Sequence, residues 1–383
     1  MRANPGGQVA PDEVIGRQGL IQNLWYILES QSLILSAERR MGKTCVIKKM
    51  QAEAPKDKLP IYHDLEKVRS PLEFVETILQ DVEEYLGGLK RTARKTRQLL
   101  TQLSGAEFSG FKLPEIAAPH WKNLLIQTIA DLVENQDRTV ILFWDEVPYM
   151  LSNIGDEAAM EVLDTLRSLR QMYPGVRMVF TGSIGLHHVI GSLKEKGYAN
   201  APINDMYIED VPPLSTTDAT DLTCRLLRGE NISTPDLDVT AAAIVDNVNG
   251  IPFYIHHIIR QLKQSGKSSS TTVTDIVNSA LTDPLSRWDM GHYRDRIDTY
   301  YDDQKRPYAL NLLDILAVTN QPLLLNDLLD RLKSGSLVTD REMVLNVLRL
   351  LQRDYYVIQE TNSQYRFRYS LIQRYWQVSR GLV

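Results

Sequence analysis

The stretch from Ala37 to Thr44 has the residue types and the spacing of a loop that binds phosphate groups. It follows an apolar run, residues 32–36, that favours a buried strand, and the segment after it, residues 43–52, has helical spacing. In the pattern G-x-x-x-x-G-K-[ST], backbone N–H groups at the start of the helix face phosphate oxygens, and the helix dipole favours anions there. Seven of the eight positions comply, in the order Ala37, Glu38, Arg39, Arg40, Met41, Gly42, Lys43 and Thr44. The stretch therefore predicts a P-loop, the loop that binds ATP.

The last two residues of this loop have defined roles toward a nucleotide. Lys43 brings a positive charge to the β- and γ-phosphates of ATP, and the Thr44 hydroxyl is a ligand for Mg²⁺. Ala37 replaces the first glycine, which is acceptable if its φ is negative. We predict that the loop and the next residue, Cys45, bind the nucleotide. A Gly-Lys-Ser at residues 266–268 follows a helix in a polar segment, so it is interpreted as a chance match.

Two adjacent carboxylates, Asp145 and Glu146, follow an apolar run over residues 140–144. A carboxylate at the end of a strand beside a P-loop can hold Mg²⁺ through water, and the adjacent glutamate can act as a general base toward the attacking water. Many strands end in solvated acids, so the pair gains its meaning from the P-loop earlier in the chain. We predict Lys43 and Glu146 as catalytic residues, and Thr44 and Asp145 as the magnesium site.

A further apolar run, residues 176–180, ends in Thr181-Gly182-Ser183. The carboxyl ends of parallel strands line the ligand crevice, so Thr181 and Ser183 are candidate sensors of the γ-phosphate. A simple turn signal explains these residues equally well. The histidine pairs at residues 187–188 and 256–257 are not predicted to bind a metal, because neighbouring positions on a helix point apart.

Strand and helix patterns alternate up to about residue 213 and predict an α/β fold with a mostly parallel sheet covered on both faces. After that point helices dominate, and residues 309–369 contain three helices followed by a hairpin, the arrangement of a winged helix. The predicted domains are a flexible tail (1–11), a P-loop ATPase core (12–213, with an insertion at 87–120), a helical lid (214–290) and a C-terminal winged-helix domain (291–383).

The composition limits the possible partners. A formal charge of −5 gives no overall attraction to nucleic acid or to an anionic membrane. The two cysteines, Cys45 and Cys224, exclude a disulfide framework and favour a reducing, cytoplasmic location. No run approaches the roughly 18 apolar residues of a membrane span, so no membrane partner is expected.

Together, these motifs resemble the STAND branch of AAA+-like P-loop NTPases, and in particular the prokaryotic archaeal ATPase group. The matching stretches are residues 15–17, the P-loop with its Arg-Arg pair, and residues 143–148, 181–186, 213–215 and 250–254. The resemblance implies that Gly16 and Arg17 lie near the adenine and that Pro252, in the lid, touches the nucleotide. It also implies that nucleotide state changes the angles between core, lid and winged helix. The chain shows no repeat array or effector domain, so it is expected to act on a separate partner.

Two functions fit these observations. The first is a slowly hydrolysing ATPase switch that associates with a protein partner or with itself, with Arg167, Arg170 and Arg177 as candidate arginine fingers. The second, less favoured, is an ATP-dependent DNA-binding protein of the origin-recognition type, in which the third helix of the winged helix enters the major groove. That helix, residues 340–354, carries three basic and three acidic side chains and lacks a one-sided positive face. Four further basic residues lie near the wing: Arg366, Arg368, Arg374 and Arg380.

Overall fold

The computed structural model of the 383-residue chain describes residues 1–85, 94–104, 112–113, 115–182, 185–319, 321–335 and 340–382. It divides into two compact units. The core unit comprises residues 10–37 and 43–211, and the C-terminal unit comprises residues 1–9, 38–42 and 212–383. The division falls inside the P-loop, because Glu38–Gly42 belong to one unit and the residues on either side belong to the other.

The core unit is built on a five-stranded parallel sheet with the strand order β2-β3-β4-β1-β5. The strands are β1 Leu33–Ser36, β2 Lys58–Asp64, β3 Thr139–Asp145, β4 Val176–Phe180 and β5 Tyr207–Asp210. The helices are α1 Gln18–Leu28, α2 Lys43–Ala52, α3 Pro71–Tyr85, α4 Arg94–Ser104, α5 Trp121–Glu134, α6 Val147–Asn153, α7 Asp156–Met172 and α8 Leu186–Glu195. The predicted α/β class with a parallel sheet is confirmed.

Strand β3 lies in the apolar core of this unit, because all of its residues after Thr139 are buried. Trp144 stacks on Phe180 of β4 with ring centroids 6.0 Å apart, and Phe74 of α3 meets it edge-on at 5.2 Å. Asp145 follows directly, so the packing of Trp144 fixes where the strand ends and where the carboxylate lies. Pro60 is accommodated because β2 is an edge strand, as expected from its missing N–H.

Several elements of the core unit differ from the sequence predictions. Strand β5 and helix α6 were not predicted, because both are short, and β5 is an edge strand with little buried surface. Helix α4 lies within residues 87–120, which were predicted only as an insertion. Its first turn is held by the buried carboxylate of Asp131, which accepts hydrogen bonds from the Lys95 and Thr96 amides at 3.1 and 2.9 Å. The hairpin considered at residues 108–111 lies outside the described residues.

The C-terminal unit is helical apart from one small sheet. Its elements are α9 Thr216–Gly229, α10 Leu237–Asn247, α11 Pro252–Ser265, α12 Ser270–Thr282, α13 His292–Tyr300, α14 Lys305–Ala317, β6 Leu323–Leu324, α15 Leu325–Ser334, α16 Arg341–Arg353, β7 Val357–Gln359, β8 Gln364–Phe367 and α17 Ser370–Ser379. The side chains that cap helices α9, α10, α12 and α16 by accepting backbone N–H groups are Ser215, Asp236, Ser269 and Asp340. Helices α14 to α16 with the antiparallel sheet β6-β8-β7 follow the order of a winged helix.

The N-terminal segment differs from the flexible tail predicted for residues 1–11. The Ala3 amide donates to Glu230 at 2.8 Å, and the Asn4 amide donates to His256 at 3.1 Å, both within the C-terminal unit. In the core unit, Pro11 begins a short 3₁₀ helix, and its carbonyl accepts from Lys49 at 2.7 Å. Backbone groups make these contacts, which explains why the side-chain pattern gave no sign of them. The separation of residues 214–290 and 291–383 into two domains stays a prediction.

Among the described residues, no helix has both the length and the apolar character that a membrane span requires.

Candidate nucleotide-binding site

The backbone of the predicted P-loop has the conformation that its glycine and alanine positions require. Gly42, the residue before helix α2, has a φ of +88°, which explains the glycine at this position. Ala37 is not among the residues with positive φ, so the missing first glycine introduces no backbone strain. Arg40 does lie in the left-handed region, with a φ of +73°. The loop therefore has one strained position, which surrounding contacts must hold.

Lys43 and Thr44, the first two residues of α2, lie where the P-loop pattern predicts. The Lys43 side chain is only 9% exposed, and its ammonium group folds back to donate to the Ala37 carbonyl at 3.0 Å. The Thr44 hydroxyl donates to the Asp145 carboxylate at 2.8 Å. Because Asp145 is the last residue of strand β3, the sheet brings the two predicted magnesium ligands together across about one hundred residues of chain.

The Asp145 carboxylate lies in a buried and acidic environment. It is 5% exposed, and burial raises its pKa, although hydrogen bonds from Thr44 and from the Glu146 amide act in the opposite direction. The Tyr62 hydroxyl also approaches Asp145, at 3.4 Å, and Asp64 pairs with Asp145 across the two strands. Carboxylate and hydroxyl oxygens are the ligands that Mg²⁺ prefers, and a bound cation would offset the cost of this buried charge. The donor set therefore fits the predicted magnesium site.

Glu146 has an unusual backbone that turns the chain sharply at the end of β3. Its φ is +58°, in the left-handed region, and its amide donates to its neighbour Asp145 at 3.1 Å. Gly182 lies opposite, and a Cβ atom there would come within 2.6 Å of Pro148 and 3.5 Å of the Glu146 carboxylate. The glycine of the Thr-Gly-Ser sequence thus leaves room for the turn that carries Glu146. Strained backbone of this kind is concentrated at functional sites.

Thr181 is buried beside this turn with an unpaired hydroxyl. Its backbone is fixed, because its amide donates to the Trp144 carbonyl at 3.1 Å and its carbonyl accepts from Val147 at 3.1 Å. The side chain is 2% exposed, yet Oγ1 makes no hydrogen bond within the described protein. A buried polar atom without a partner is costly and suggests a ligand or water at that point. The second candidate sensor, Ser183, lies outside the described residues.

The remaining predicted nucleotide-binding residues are distributed between the two units. In the core unit, Gly16 has a φ of +69° and Arg17 is 4% exposed at the start of α1. Cys45 is a half-buried free thiol on α2. In the C-terminal unit, Pro252 is the first residue of α11. A Cβ on Gly250 would come within 2.7 Å of the Leu214 carbonyl, so close packing against Leu214 explains the glycine of Gly-Ile-Pro without a contact to nucleotide.

The side chains in the middle of the P-loop make contacts within the C-terminal unit, and two of them are buried. Glu38 is 1% exposed and Met41 is 1% exposed. Arg39 and Arg40 both reach Asp289, at 3.2 and 3.5 Å. The predicted phosphate contacts of these four residues therefore fall to their backbone N–H groups.

Two of the three candidate arginine fingers are held inside the core unit. Arg170 forms a two-point ion pair with Asp205 at 2.8 and 2.9 Å. Arg177 donates to the carbonyls of Leu28 and Glu29, at 3.0 and 2.9 Å, at the end of α1. Arg167, the third, donates to the Ala201 carbonyl at 2.9 Å. The structure thus gives Arg170 and Arg177 structural roles, and Arg167 is the candidate with fewer constraints.

Two contributors to the site escaped the sequence analysis. Tyr62 has a signal that could have been read, because it lies two residues before the end of a strand and therefore near the same sheet edge as Asp145. Arg296, which pairs with Glu38, has none. It lies 258 positions further along the chain, in a helix whose pattern is mostly charged.

The structure combines a parallel sheet, a loop between β1 and α2 that ends in Lys43 and Thr44, and an Asp-Glu pair at the end of β3, which β4 separates from β1. This is the arrangement of the P-loop NTPase fold.

Comparison with known proteins agrees with this class. Residues 28–190 match the model of the AAA domain family. The fold is similar to a Walker-type ATPase of Pyrococcus abyssi, with a TM-score of 0.66 and 14% identity, covering 98% of this chain and 100% of that one. It is also similar to the ADP form of the ORC2 protein of Aeropyrum pernix, with a TM-score of 0.50 and 12% identity, covering 99% of this chain and 96% of that one. A search of curated protein sequences gave no match.

The family match over residues 28–190 agrees with the resemblance to AAA+-like ATPases in that part of the chain, and the two solved structures show similarity of fold. Membership of the STAND branch stays a prediction.

Proposed function

We propose that this protein is an ATP-binding switch that hydrolyses ATP slowly, and that its nucleotide state sets the arrangement of the core unit and the C-terminal unit. The observation that carries the proposal is the 2.8 Å hydrogen bond from Thr44 to Asp145, with Lys43 and Glu146 as their chain neighbours. This set contains a cation for the phosphates, two oxygen ligands for Mg²⁺ and a carboxylate for the attacking water.

Each residue has a separate task in the proposed reaction. Lys43 exchanges its contact with the Ala37 carbonyl for the β- and γ-phosphates. Thr44 and Asp145 would hold Mg²⁺, which neutralises charge on the phosphate oxygens when it is bound. Glu146 orients a water molecule and accepts its proton. The Thr181 hydroxyl donates to the γ-phosphate, which would give its unpaired oxygen a partner.

Two features favour a regulatory role over rapid turnover. The chain passes from one unit to the other within the P-loop. Arg170 and Arg177 are engaged in the core unit, which leaves few cations to stabilise the transition state. Rapid hydrolysis would then need a residue from a partner or from a second copy of the chain. The cytoplasmic location is part of this proposal, since both cysteines are free thiols.

DNA binding is the second candidate, supported by the fold similarity to the ORC2 protein and by the winged-helix order of elements. The charges around the wing weigh against it. Arg366 pairs with Glu360 at 2.6 Å, and Arg380 pairs with Asp314 at 2.7 Å. Paired arginines give little of the counterion release that drives binding to duplex DNA. Salt-dependent retention on duplex DNA in the presence of ATP would favour this second function.

The decisive experiment for the switch uses Glu146→Gln. We expect this variant to bind ATP as tightly as wild type and to hydrolyse it at least ten times more slowly, because the amide cannot accept the proton. Light scattering with and without magnesium ATP should then show whether ATP-loaded Glu146→Gln changes its association state or captures a partner. Glu53→Gln, on the same unit but in an exposed ion pair with Lys49, is the matched control and should hydrolyse ATP normally. Unchanged hydrolysis by Glu146→Gln would contradict the assigned role.

A further inference from the structure

Glu38, the second residue of the P-loop, forms a buried ion pair with Arg296 of helix α13. The Glu38 carboxylate oxygens accept from the two terminal nitrogens of Arg296 at 3.0 and 2.8 Å. One of these oxygens also accepts from the Arg39 amide at 2.6 Å. All three residues belong to the C-terminal unit, and the Glu38 side chain has no exposed surface. A two-point ion pair of this kind fixes both position and orientation.

Arg296 is itself held from several sides. Its guanidinium also donates to the Asp354 carbonyl at 2.8 Å, at the corner between α16 and β7. It lies over the rings of Tyr293 and Tyr356, at 5.8 and 5.7 Å from their centroids. His292, one turn earlier on α13, has Nε2 3.8 Å from the Glu38 carboxylate. The P-loop carboxylate is therefore connected through Arg296 to the winged-helix elements of the same unit.

The charge of Glu38 matters because of where it lies. Burial alone would raise the pKa of Glu38, but Arg296, and then His292, lower it to about 2, so the carboxylate is ionised at neutral pH. A negative charge within a loop that receives polyphosphate opposes binding unless a cation balances it. The paired guanidinium supplies that balance, and a buried carboxylate without it would be strongly unfavourable.

The neighbouring loop residues make the same connection. Arg39 and Arg40 both contact Asp289, three residues before α13, and the Arg40 guanidinium lies 3.8 Å from the centre of the Phe253 ring on α11. Three consecutive P-loop side chains thus contact residues on α11, on α13 or in the segment just before α13. A change in the loop on binding phosphate must alter these contacts or be resisted by them.

We propose that Arg296 is a positioning residue for nucleotide binding, which neutralises Glu38 and holds the P-loop in the form that accepts the phosphates of ATP. The inference rests on the proposed function. It goes further by assigning to α13 the control of ATP affinity, so that any movement of α13 in the C-terminal unit changes how tightly the P-loop holds nucleotide.

The test is a double-mutant cycle on full-length protein with Glu38→Gln, Arg296→Gln and the double variant, using equilibrium binding of magnesium ATP. We expect Arg296→Gln to weaken ATP binding by about tenfold or more, because the unpaired carboxylate repels the phosphates. Adding Glu38→Gln should bring affinity back to within about threefold of wild type, since no charge is left to neutralise. Arg296→Lys, which keeps the charge but loses the two-point geometry, should lie between Arg296→Gln and wild type.

A merely structural contact gives a different pattern, in which the double variant binds ATP as weakly as Arg296→Gln or more weakly. That result, or unchanged affinity in Arg296→Gln, overturns the inference. If Arg296→Gln does not fold, Arg296→Lys carries the test, and an ATP affinity equal to that of wild type in this variant is equally contradictory. ATP binding by wild type is the reference in each series, so its failure would count against the proposed function and not against the coupling.

Discussion

At the residue scale, the Thr181 hydroxyl is the feature of the site that the protein itself leaves unsatisfied. Its backbone is fixed by Trp144 and Val147, yet Oγ1 is buried without a hydrogen-bond partner among the residues that the structure describes. A group that stabilised the fold would be paired, so the hydroxyl is retained at a cost of about 1–3 kcal/mol. We interpret that cost as the consequence of a role toward nucleotide.

Replacement of the Thr181 hydroxyl distinguishes a role in the stability of the fold from a role toward the nucleotide. Thr181→Val keeps the shape, so we expect the free energy of unfolding without nucleotide to stay the same or to rise, while ATP hydrolysis falls by about tenfold or more. The measurements are chemical denaturation and single-turnover hydrolysis.

Thr165→Val is the matched control, because the Thr165 hydroxyl is also buried in the core unit but donates to the Glu161 carbonyl at 2.7 Å. It should lose about 1 kcal/mol of stability and keep its hydrolysis rate. The opposite pattern, a less stable Thr181→Val with normal hydrolysis, would remove Thr181 from the site.

At the scale of elements, helix α11 combines a predicted role with an unexpected one. Pro252 begins the helix, and the adjacent His256 and His257, one turn further on, are both buried. The Nδ1 atom of His256 accepts from the Asn4 amide, so it must be unprotonated and the ring neutral. Burial lowers the pKa of both histidines to about 4. The helix therefore holds the N-terminal segment through a contact that acid should break.

The pKa shifts determine the direction of a pH effect on stability. The unfolded histidines titrate near 6.5 and the folded ones near 4, so the unfolded state binds more protons between these values. We expect the free energy of unfolding to be constant above about pH 6.5 and to fall as the pH is lowered toward 4, by up to about 1.4 kcal/mol per pH unit for each histidine. Denaturant titrations at several pH values measure this slope.

The variant His256→Asn provides the comparison, since its amide oxygen can accept from Asn4 but carries no charge. It should show a shallower slope than wild type between pH 6.5 and 4. Identical slopes in His256→Asn and wild type would show that this histidine does not contribute.

The elements that could be predicted are those with long, regular patterns. Buried strand β3 and helices such as α3 and α7 have continuous apolar runs or amphipathic spacing, and the P-loop lies between a strand and a helix as its pattern requires. Strand β5, helix α13 and helix α17 were missed, because they are short, charged or placed at an edge and take their structure from packing. Local patterns cannot show that Glu38 meets Arg296, since that pairing depends on the fold of a whole unit.

At the scale of the whole molecule, the division into two units passes through the P-loop itself. Lys43, Thr44, Asp145 and Glu146 belong to the core unit, and Glu38–Gly42 belong to the C-terminal unit. Binding of a nucleotide to this loop is the event on which the proposed switch depends. The energy available for such a switch is limited to the difference in nucleotide affinity between its states.

The most direct test of this account is equilibrium binding of magnesium ATP to wild type, Lys43→Ala and Lys267→Ala. The second lysine is a matched control, because Gly266-Lys267-Ser268 has the same residue types but follows the end of α11, and Lys267 is exposed. We expect Lys43→Ala to bind ATP at least a hundredfold more weakly than wild type, and Lys267→Ala to bind it equally well. Equal affinity in Lys43→Ala and wild type would contradict the assignment of the nucleotide to the loop between β1 and α2.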